Sequence, residues 1–341
     1  MSRQPVVLIT GASGEIGHTL IDRLSEGNRP VVTLDLSPLA AGLAGKVRQH
    51  YVGSVLDQQL LDRILAEFEI DQVYHLAAVL STRGEFAPMT AHKVNVEGTL
   101  MMLEFAQRQG ESHGRAVTFL FPSSIAAYGV PSLAVKNALG PLPEDVHNTP
   151  TTMYGCNKLY GERLGAYYAR NYRQLSADPV KARVDFRGLR FPGLISAVTT
   201  PSGGTSDYAP EMAHAAAAGK PYACFVRPDT RIPFMAMPDA VDAILKLAHS
   251  PRAGLTRDTY NIGAFSPTAG EIRDEVLRAF PTAEITTAVD AKRQAILDTW
   301  PAEADDTAAR RDWGHSPKYG FEAAFREYLI PTIRRQYGGT V

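Results

Sequence analysis

The sequence predicts an α/β protein: a doubly wound parallel sheet followed by a smaller, less regular C-terminal α/β domain. Three observations predict it. Short apolar runs rich in β-branched residues alternate with stretches of helical periodicity from residue 6 to residue 191. The first run ends in a glycine triplet at 11, 14 and 17 that opens a helix. After residue 193 the alternation loosens, and a loop containing Pro-Ser-Gly-Gly-Thr-Ser-Asp spans 199–208. At 341 residues the chain suffices for one large α/β unit or two lobes sharing a core.

Taken in order, residues 5–10 (Pro-Val-Val-Leu-Ile-Thr) read as a buried strand, and Ile16, Leu20, Ile21 and Leu24 recur at helical spacing after it. Residues 30–34 form a second strand that ends in Asp35. Residues 51–55 give a third strand end, followed by a helix through Leu60, Leu61, Ile64, Leu65 and Phe68. Residues 72–78 are the fourth strand, whose small Ala77 and Ala78 suit close approach by a ligand. His75, alone within that run, reads as a satisfied core residue rather than a base. A helix at about 91–108 carries Asn95 and Gly98. The fifth strand, 117–121, breaks at Pro122-Ser123-Ser124.

Residues 129–150, rich in Pro, Gly and Asn, read as a long loop over the carboxyl edge of the sheet. A helix headed by Tyr154 and Lys158 runs to about Tyr172, residues 173–183 form a polar turn, and 186–191 are the sixth strand. Beyond it come a small-residue helix (209–218), short strands at 222–226 and 231–237, and a helix at 238–249. A strand at 259–262, a helix at 270–280, a strand at 284–289 and a helical tail from 321 complete the chain. The first domain is expected to span 1–192, rejoined by about 231–263. The second, a lid over the strand ends, is expected to span 193–230 and 264–341.

Composition excludes several classes. The apolar fraction is 45% and the charged fraction 21%, as in ordinary globular proteins. With 35 basic and 36 acidic residues the net charge is −1, so nothing favours nucleic acid or an anionic membrane. The longest apolar runs, such as 6–9, are too short to span a bilayer, and the start leads directly into a strand, leaving no room for a signal peptide. Two cysteines, Cys156 and Cys224, form neither a disulfide framework nor a metal-ligand set, so no metal is expected. A cytoplasmic protein is the expectation.

Two patterns carry chemistry. Glycines 11, 14 and 17, between a strand and a helix, allow a tight turn, close backbone approach to a pyrophosphate, and helix–strand packing. Asp35, eighteen residues beyond Gly17, can accept both ribose hydroxyl hydrogens and would repel a 2′-phosphate. No arginine adjoins it, so NAD is expected rather than NADP, on a Rossmann-type sheet. Tyr154 and Lys158, four residues apart, share one face of their helix. A nearby cation stabilises a phenolate, which makes Tyr154 a candidate general base.

With the glycine loop, Asp35, Ser124, Tyr154 and Lys158 in this order, the chain resembles the extended short-chain dehydrogenase/reductase superfamily. Residues 123–129 (Ser-Ser-Ile-Ala-Ala-Tyr-Gly) match its Ser-Ser-x-x-x-Tyr-Gly pattern ahead of Tyr-x-x-x-Lys. Within it, 189–196, 203–209, 230–233, 259–262, 293–296, Trp300-Pro301, Asp305-Asp306, Arg310 and 312–314 resemble the short-chain L-threonine 3-dehydrogenases.

The resemblance implies NAD-dependent oxidation of the β-hydroxyl of L-threonine, or of a close β-hydroxy-α-amino acid, to the 3-keto product. Ser124, Tyr154 and Lys158 would be catalytic. The pyrophosphate loop would comprise Gly11, Ser13, Gly14, Glu15, Ile16 and Gly17. Asp35, Ser54 and Val55 would meet the adenosine half, and Leu76, Ala77, Ala78 and Asn95 the strand-end side. Pro192 and Leu194, with Tyr154 and Lys158, would face the nicotinamide half. Substrate contacts would come from Ser81, Ser124, Thr205, Arg231 and Trp300; Arg231 can pair bidentately with a carboxylate. Plain alternatives are a surface arginine and a core tryptophan.

Some positions depart from the pattern: Ser54 stands where an acid is usual, Ser124 where threonine is, and Cys156-Asn157 replace small and serine residues. Met235-Ala-Met-Pro238 lacks an expected tyrosine, and loops 130–143 and 173–183 are extra. The rival readings are an NAD-dependent sugar-nucleotide epimerase or dehydratase, a dehydrogenase of another β-hydroxy acid, and a cofactor-sensing regulator without catalysis. The helices at roughly 92–108 and 154–172 imply a homodimer by the same resemblance.

Overall fold

The structure is a computed structural model that describes residues 4–178, 180–199, 201 and 203–338. Pro179 of the predicted turn 173–183, Thr200 and Ser202 of the predicted loop 199–208, and residues 1–3 of the predicted signal-free start lie outside those residues. The described residues hold the strands β1 (Val6–Thr10), β2 (Val31–Asp35), β3 (Gln49–Val52), β4 (Ile70–His75), β5 (Val117–Ser124) and β6 (Val184–Phe191). They continue with β7 (Gly193–Ile195), β8 (Tyr222–Cys224), β9 (Phe234–Ala236), β10 (Thr259–Asn261) and β11 (Ile285–Thr287).

The chain divides into two compact units. The first comprises Met1–Ser123, Cys156–Leu189 and Ile244–Thr259; the second comprises Ser124–Gly155, Arg190–Ala243 and Tyr260–Val341. The chain passes between them at the carboxyl ends of β5 and β6, inside the first turn of the helix Met153–Arg170, within the helix Met237–His249, and at β10.

The seven-stranded sheet has the order β10-β6-β5-β4-β1-β2-β3. β1 lies parallel to β2 and β4, β2 to β3, and β4 to β5. Strand order reverses beside β1, the switch point of a Rossmann-type, doubly wound sheet. Every residue of β1 is buried, which explains a continuous apolar run in place of alternation. Val6, Leu8, Val32, Leu34, Val73, Phe119, Phe121 and Phe186 build one core with Met102, Phe105 and Tyr168. Arg187 of β6 is buried but fully engaged: its guanidinium donates to the Asp185 carboxylate at 2.6 Å and to the Ser250 carbonyl at 2.7 Å.

The helix Met153–Arg170 is set against the sheet by glycine. A Cβ at Gly161 would lie 2.4 Å from Phe121 Cζ, and one at Gly165 would lie 2.1 Å from Phe186 Cε2. The backbone therefore rests directly on two core rings that are themselves 5.7 Å apart by centroid.

The second unit pairs β7 with β9 and β8 with β11, both parallel. Tyr208, Met212, Phe225, Phe234, Ile272, Trp300 and Phe325 fill its core. The helix Ala269–Ala279 begins with a capping box between Thr268 and Glu271, which fixes its start.

Several elements differ from expectation. The predicted loop at 129–150 contains the helix Leu133–Ala138, started by Ser132, whose hydroxyl accepts from Val135 N–H. The helix predicted at 91–108 begins at Pro88, loosens into a π turn over Lys93–Glu97, and resumes as Gly98–His113. Ser81–Phe86, Ala291–Asp298 and Thr307–Trp313 are further helices that the periodicity did not signal. All are too short for their apolar spacing to repeat convincingly.

Gly165→Ala is expected to lower stability, because overpacking against Phe186 costs about 1–3 kcal/mol while alanine regains at most about 1 kcal/mol of helix propensity. Chemical denaturation measures it. A variant as stable as the parent would mean that Phe186 moves aside freely.

Candidate active site

In the sheet-bearing unit, β1 is followed by Gly11, whose φ of +68° lies in the left-handed region. A Cβ there would stand 2.5 Å from Ala77 N, so the loop after β1 touches backbone beyond β4. Gly17 is equally constrained: its Cβ would lie 2.4 Å from the Ala12 carbonyl oxygen, where helix meets turn. Gly14 precedes the helix Glu15–Ser25 in extended conformation and brings no capping side chain to the first-turn amides. That leaves the helix N-terminus, with Glu15, Ile16 and Gly17 in its first turn, presented as a phosphate cradle.

Asp35 is fixed beside this loop. Its carboxylate accepts the Ser13 amide at 2.9 Å on one oxygen and the Ser37 amide at 2.9 Å on the other. The Ser13 hydroxyl donates to the Ser37 carbonyl at 3.2 Å. The glycine loop and the end of β2 are thus one hydrogen-bonded unit, and NAD fits the residues present: a glycine cradle that any side chain would fill, with an anchored carboxylate for the ribose.

Neighbouring positions complete the edge. Ser54 Oγ accepts from Leu56 N–H at 3.1 Å, and Val55 is buried. A Cβ at Gly98 would come within 2.9 Å of the Val55 side chain. Leu76 N–H donates to the Thr10 carbonyl, and Ala77 and Ala78 follow it. Asn95, in the π turn, accepts from Val79 N–H at 2.7 Å and donates to the Val79 carbonyl at 3.0 Å and to Asn157 Oδ1 at 3.2 Å. It reads as a clamp on the chain leaving β4.

His75 accepts its structural role. Its ring nitrogens meet Thr10 Oγ1 at 2.8 Å and Thr99 Oγ1 at 3.1 Å. Burial, aided by the Lys158 charge, pushes its pKa down to about 3, so it is neutral at physiological pH.

Tyr154 and Lys158 stand one turn apart near the start of the helix Met153–Arg170. Lys158 is buried, with its ammonium 4.8 Å from the Phe121 ring centroid. Burial lowers its pKa to about 8, and the Glu162 charge opposes that fall. The Tyr154 ring is half-buried, yet desolvation pushes its phenol above the usual range. The spacing predicts that a cation one turn away favours the phenolate, whereas burial is what moves the phenol here.

In the second unit, Ser124 closes β5. Its hydroxyl oxygen accepts the Ala126 amide at 3.1 Å and so caps the short turn Ile125–Ala127. That turn packs tightly on the residues around Tyr154: a Cβ at Gly155 would lie 2.0 Å from the Ala126 carbonyl oxygen. Pro192 follows β6, and Leu194 of β7 pairs with Met235.

The predicted substrate residues lie on separate stretches of the chain. Ser81 is buried at the start of Ser81–Phe86, and Thr205 is buried ahead of the helix Tyr208–Ala217. Arg231 is half-exposed and already engaged, donating to the Ser266 carbonyl and lying 3.5 Å from the Glu271 carboxylate. Trp300 is buried in the core of its unit. Sequence reasoning passed over Ser123, Asn157 and Glu162. Glu162 carried a legible signal, one turn beyond Lys158; the other two carried none, because their partners are 39 and 62 residues away. Among the described residues no group of three or more His, Cys, Asp or Glu side chains is placed to hold a metal ion.

Residues 7–263 match the model of the NAD dependent epimerase/dehydratase family. The chain is 36% identical over 315 residues to the mitochondrial L-threonine 3-dehydrogenase of Bos taurus, covering 91% of this chain and 78% of that protein. Among solved structures it is similar to a monomeric L-threonine 3-dehydrogenase from a metagenome database in its apo form, with a TM-score of 0.85 at 35% identity over 97% of this chain and 100% of that one. The GalE-like L-threonine dehydrogenase of Cupriavidus necator, in its holo form, superposes with a TM-score of 0.84 at 35% identity, covering 96% of this chain and 100% of that one.

Gly11→Ala is expected to weaken NAD binding by more than about tenfold, since a left-handed alanine and the contact with Ala77 together cost at least about 1–2 kcal/mol. Fluorescence titration with NADH measures it. Unchanged affinity would mean that the loop tolerates a side chain and does not cradle the cofactor.

Proposed function

Because this chain belongs to the NAD dependent epimerase/dehydratase family and is an NAD-dependent oxidoreductase acting on CH–OH groups, we propose that it oxidises the β-hydroxyl of L-threonine to 2-amino-3-ketobutyrate. The observation that carries this reading is the packing of the Ser124 turn beneath Gly155, in the first turn of the helix that bears Tyr154 and Lys158. The likeness to L-threonine 3-dehydrogenases over nearly the whole chain supports the choice of substrate.

In this reading bound NAD supplies the hydride acceptor. Tyr154, as phenolate, takes the proton from the substrate hydroxyl. Lys158 lowers the cost of that phenolate by its positive charge, offsetting the burial that raises it. Ser124 donates a hydrogen bond to the reacting oxygen and holds it near the phenol. The glycine loop and Asp35 orient the cofactor through phosphate and ribose, with the Pro192 and Leu194 segment beside the nicotinamide. Ser81, Thr205, Arg231 and Trp300 form the substrate-facing set. Arg231 would have to leave Glu271 to meet a carboxylate.

The epimerase alternative needs cations for a nucleotide diphosphate. Within 199–231 the basic side chains are Lys220, Arg227 and Arg231, apart from His214. Arg227 is held by Asp298 at 2.9 Å and by Asp229 at 3.1 Å, and Arg231 lies by Glu271. That arrangement favours a small amino acid.

The same reading includes a homodimer formed through the helices Gly98–His113 and Met153–Arg170, where Leu100, Tyr160 and Tyr167 are exposed. No helix of the described residues is long and apolar enough to cross a membrane. The same reading places the protein in the cytoplasm.

Purified protein with NAD is expected to form NADH with L-threonine in preference to L-allo-threonine, D-threonine, L-serine, phenylserine and simple β-hydroxy acids. Tyr154→Phe is expected to lower kcat by at least about a hundredfold with cofactor affinity little changed. Tight NAD binding without NADH from any of these substrates would sink the threonine reading. Light scattering on a sizing column is expected to give twice the chain mass of 37.1 kDa, and a single-chain mass at micromolar concentration would remove the dimer.

A further inference from the structure

Two buried side chains of the sheet-bearing unit have no part in the chemistry above: Ser123, at the end of β5, and Glu162, one turn beyond Lys158 on its helix. Lysine and glutamate at i and i+4 share a helix face. Only 5% of Lys158, 5% of Glu162 and 2% of Ser123 is exposed, so water scarcely screens the charges. The Ser123 hydroxyl donates to Glu162 Oε1 at 2.5 Å, which fixes the carboxylate from the sheet side. Phe121, two residues earlier on β5, lies under the ammonium.

Such a carboxylate is costly to bury unless a charge and a hydrogen bond compensate it, and breaking such a set leaves its partner exposed to the full desolvation cost. Lys158 and Glu162 stabilise one another in this way. Glu162 from its own helix and His75 from β4 both interact electrostatically with Lys158, and Tyr154 stands one turn before it. His75 is neutral and β5 contributes uncharged Phe121 and Ser123, whereas the charge of Glu162 favours the protonated lysine.

We propose that Glu162, anchored by Ser123, is a positioning residue that keeps Lys158 protonated and directed, and thereby sets the alkaline limit of the reaction. The proposal rests on the reading of Lys158 as the partner of Tyr154. Glu162 itself touches neither substrate nor cofactor in this scheme. The sign follows from the chemistry: without the carboxylate the lysine loses its proton at lower pH, and its help to the phenolate disappears over more of the alkaline range.

The test is the titration of Lys158 in protein labelled with 13C at lysine Cε, the resonance being assigned with Lys158→Met. Wild type, Glu162→Gln, Glu162→Asp and Ser123→Ala are compared. In Glu162→Gln the midpoint is expected to fall by about one to three pH units. Glu162→Asp, which keeps a charge, is expected to recover most of it. Should Glu162→Gln fail to fold by circular dichroism, Ser123→Ala is expected to move the midpoint in the same direction by less. An unmoved midpoint in the folded variants overturns the proposal. This reading needs no turnover, so it stands or falls independently of the substrate. The pH profile of kcat with L-threonine is the second arm. Its alkaline limb is expected to follow the midpoint downward while the rate well below both midpoints is retained. A uniform loss at every pH would instead mark a structural role and overturn the proposal.

Discussion

At Gly161 and Gly165 the helix Met153–Arg170 brings no side chain of its own to its contact with the sheet, and much of the site depends on that constraint. Gly161 and Gly165 let its backbone meet Phe121 and Phe186 directly. The contact buries the face that carries Lys158 and Glu162 and brings the ammonium onto an aromatic ring. A bulkier residue at either glycine would lift the helix and rehydrate that face. Packing at two positions without side chains thus sets the electrostatic character of two positions with charged ones.

Burial has a different consequence for each titratable group there. His75 loses its charge and becomes a neutral strut between Thr10 and Thr99. Lys158 is pushed toward neutrality but keeps a carboxylate one turn away. Tyr154 is pushed up by the same loss of water. A low-dielectric setting penalises every charge equally in principle, and the neighbours decide which charge survives. The same logic explains Arg187 in β6, where a buried guanidinium is tolerated because Asp185 and several carbonyl oxygens surround it.

The two units differ in how closely their form is tied to chemistry. In the first, the glycine loop, Asp35 and the end of β4 are joined by backbone contacts and amide hydrogen bonds, a geometry that any dinucleotide-binding member of the family can reuse. In the second, short paired strands and helices surround one apolar core that absorbs Trp300, while Arg231 is half-exposed and donates to the Ser266 carbonyl.

The sequence by itself determined the sheet, the glycine loop, the anchoring position of Asp35 and the Tyr–Lys spacing. These are local signals: β-branched runs, a glycine triplet between strand and helix, and an i to i+4 pair all act within one or two elements. It also placed most of the later strands and helices to within a few residues. Only the tertiary structure decided the rest. The π turn at Lys93–Glu97, the helix Leu133–Ala138 inside a Pro- and Gly-rich stretch, and the three short helices were set by packing rather than by periodicity. So were the joining of Asn95 to Asn157, the seat of Glu162 under Ser123, and the direction in which burial moves Tyr154. The reason is range: hydrogen bonds between residues 39 or 62 apart, and the removal of water from a side chain, arise only when distant segments meet.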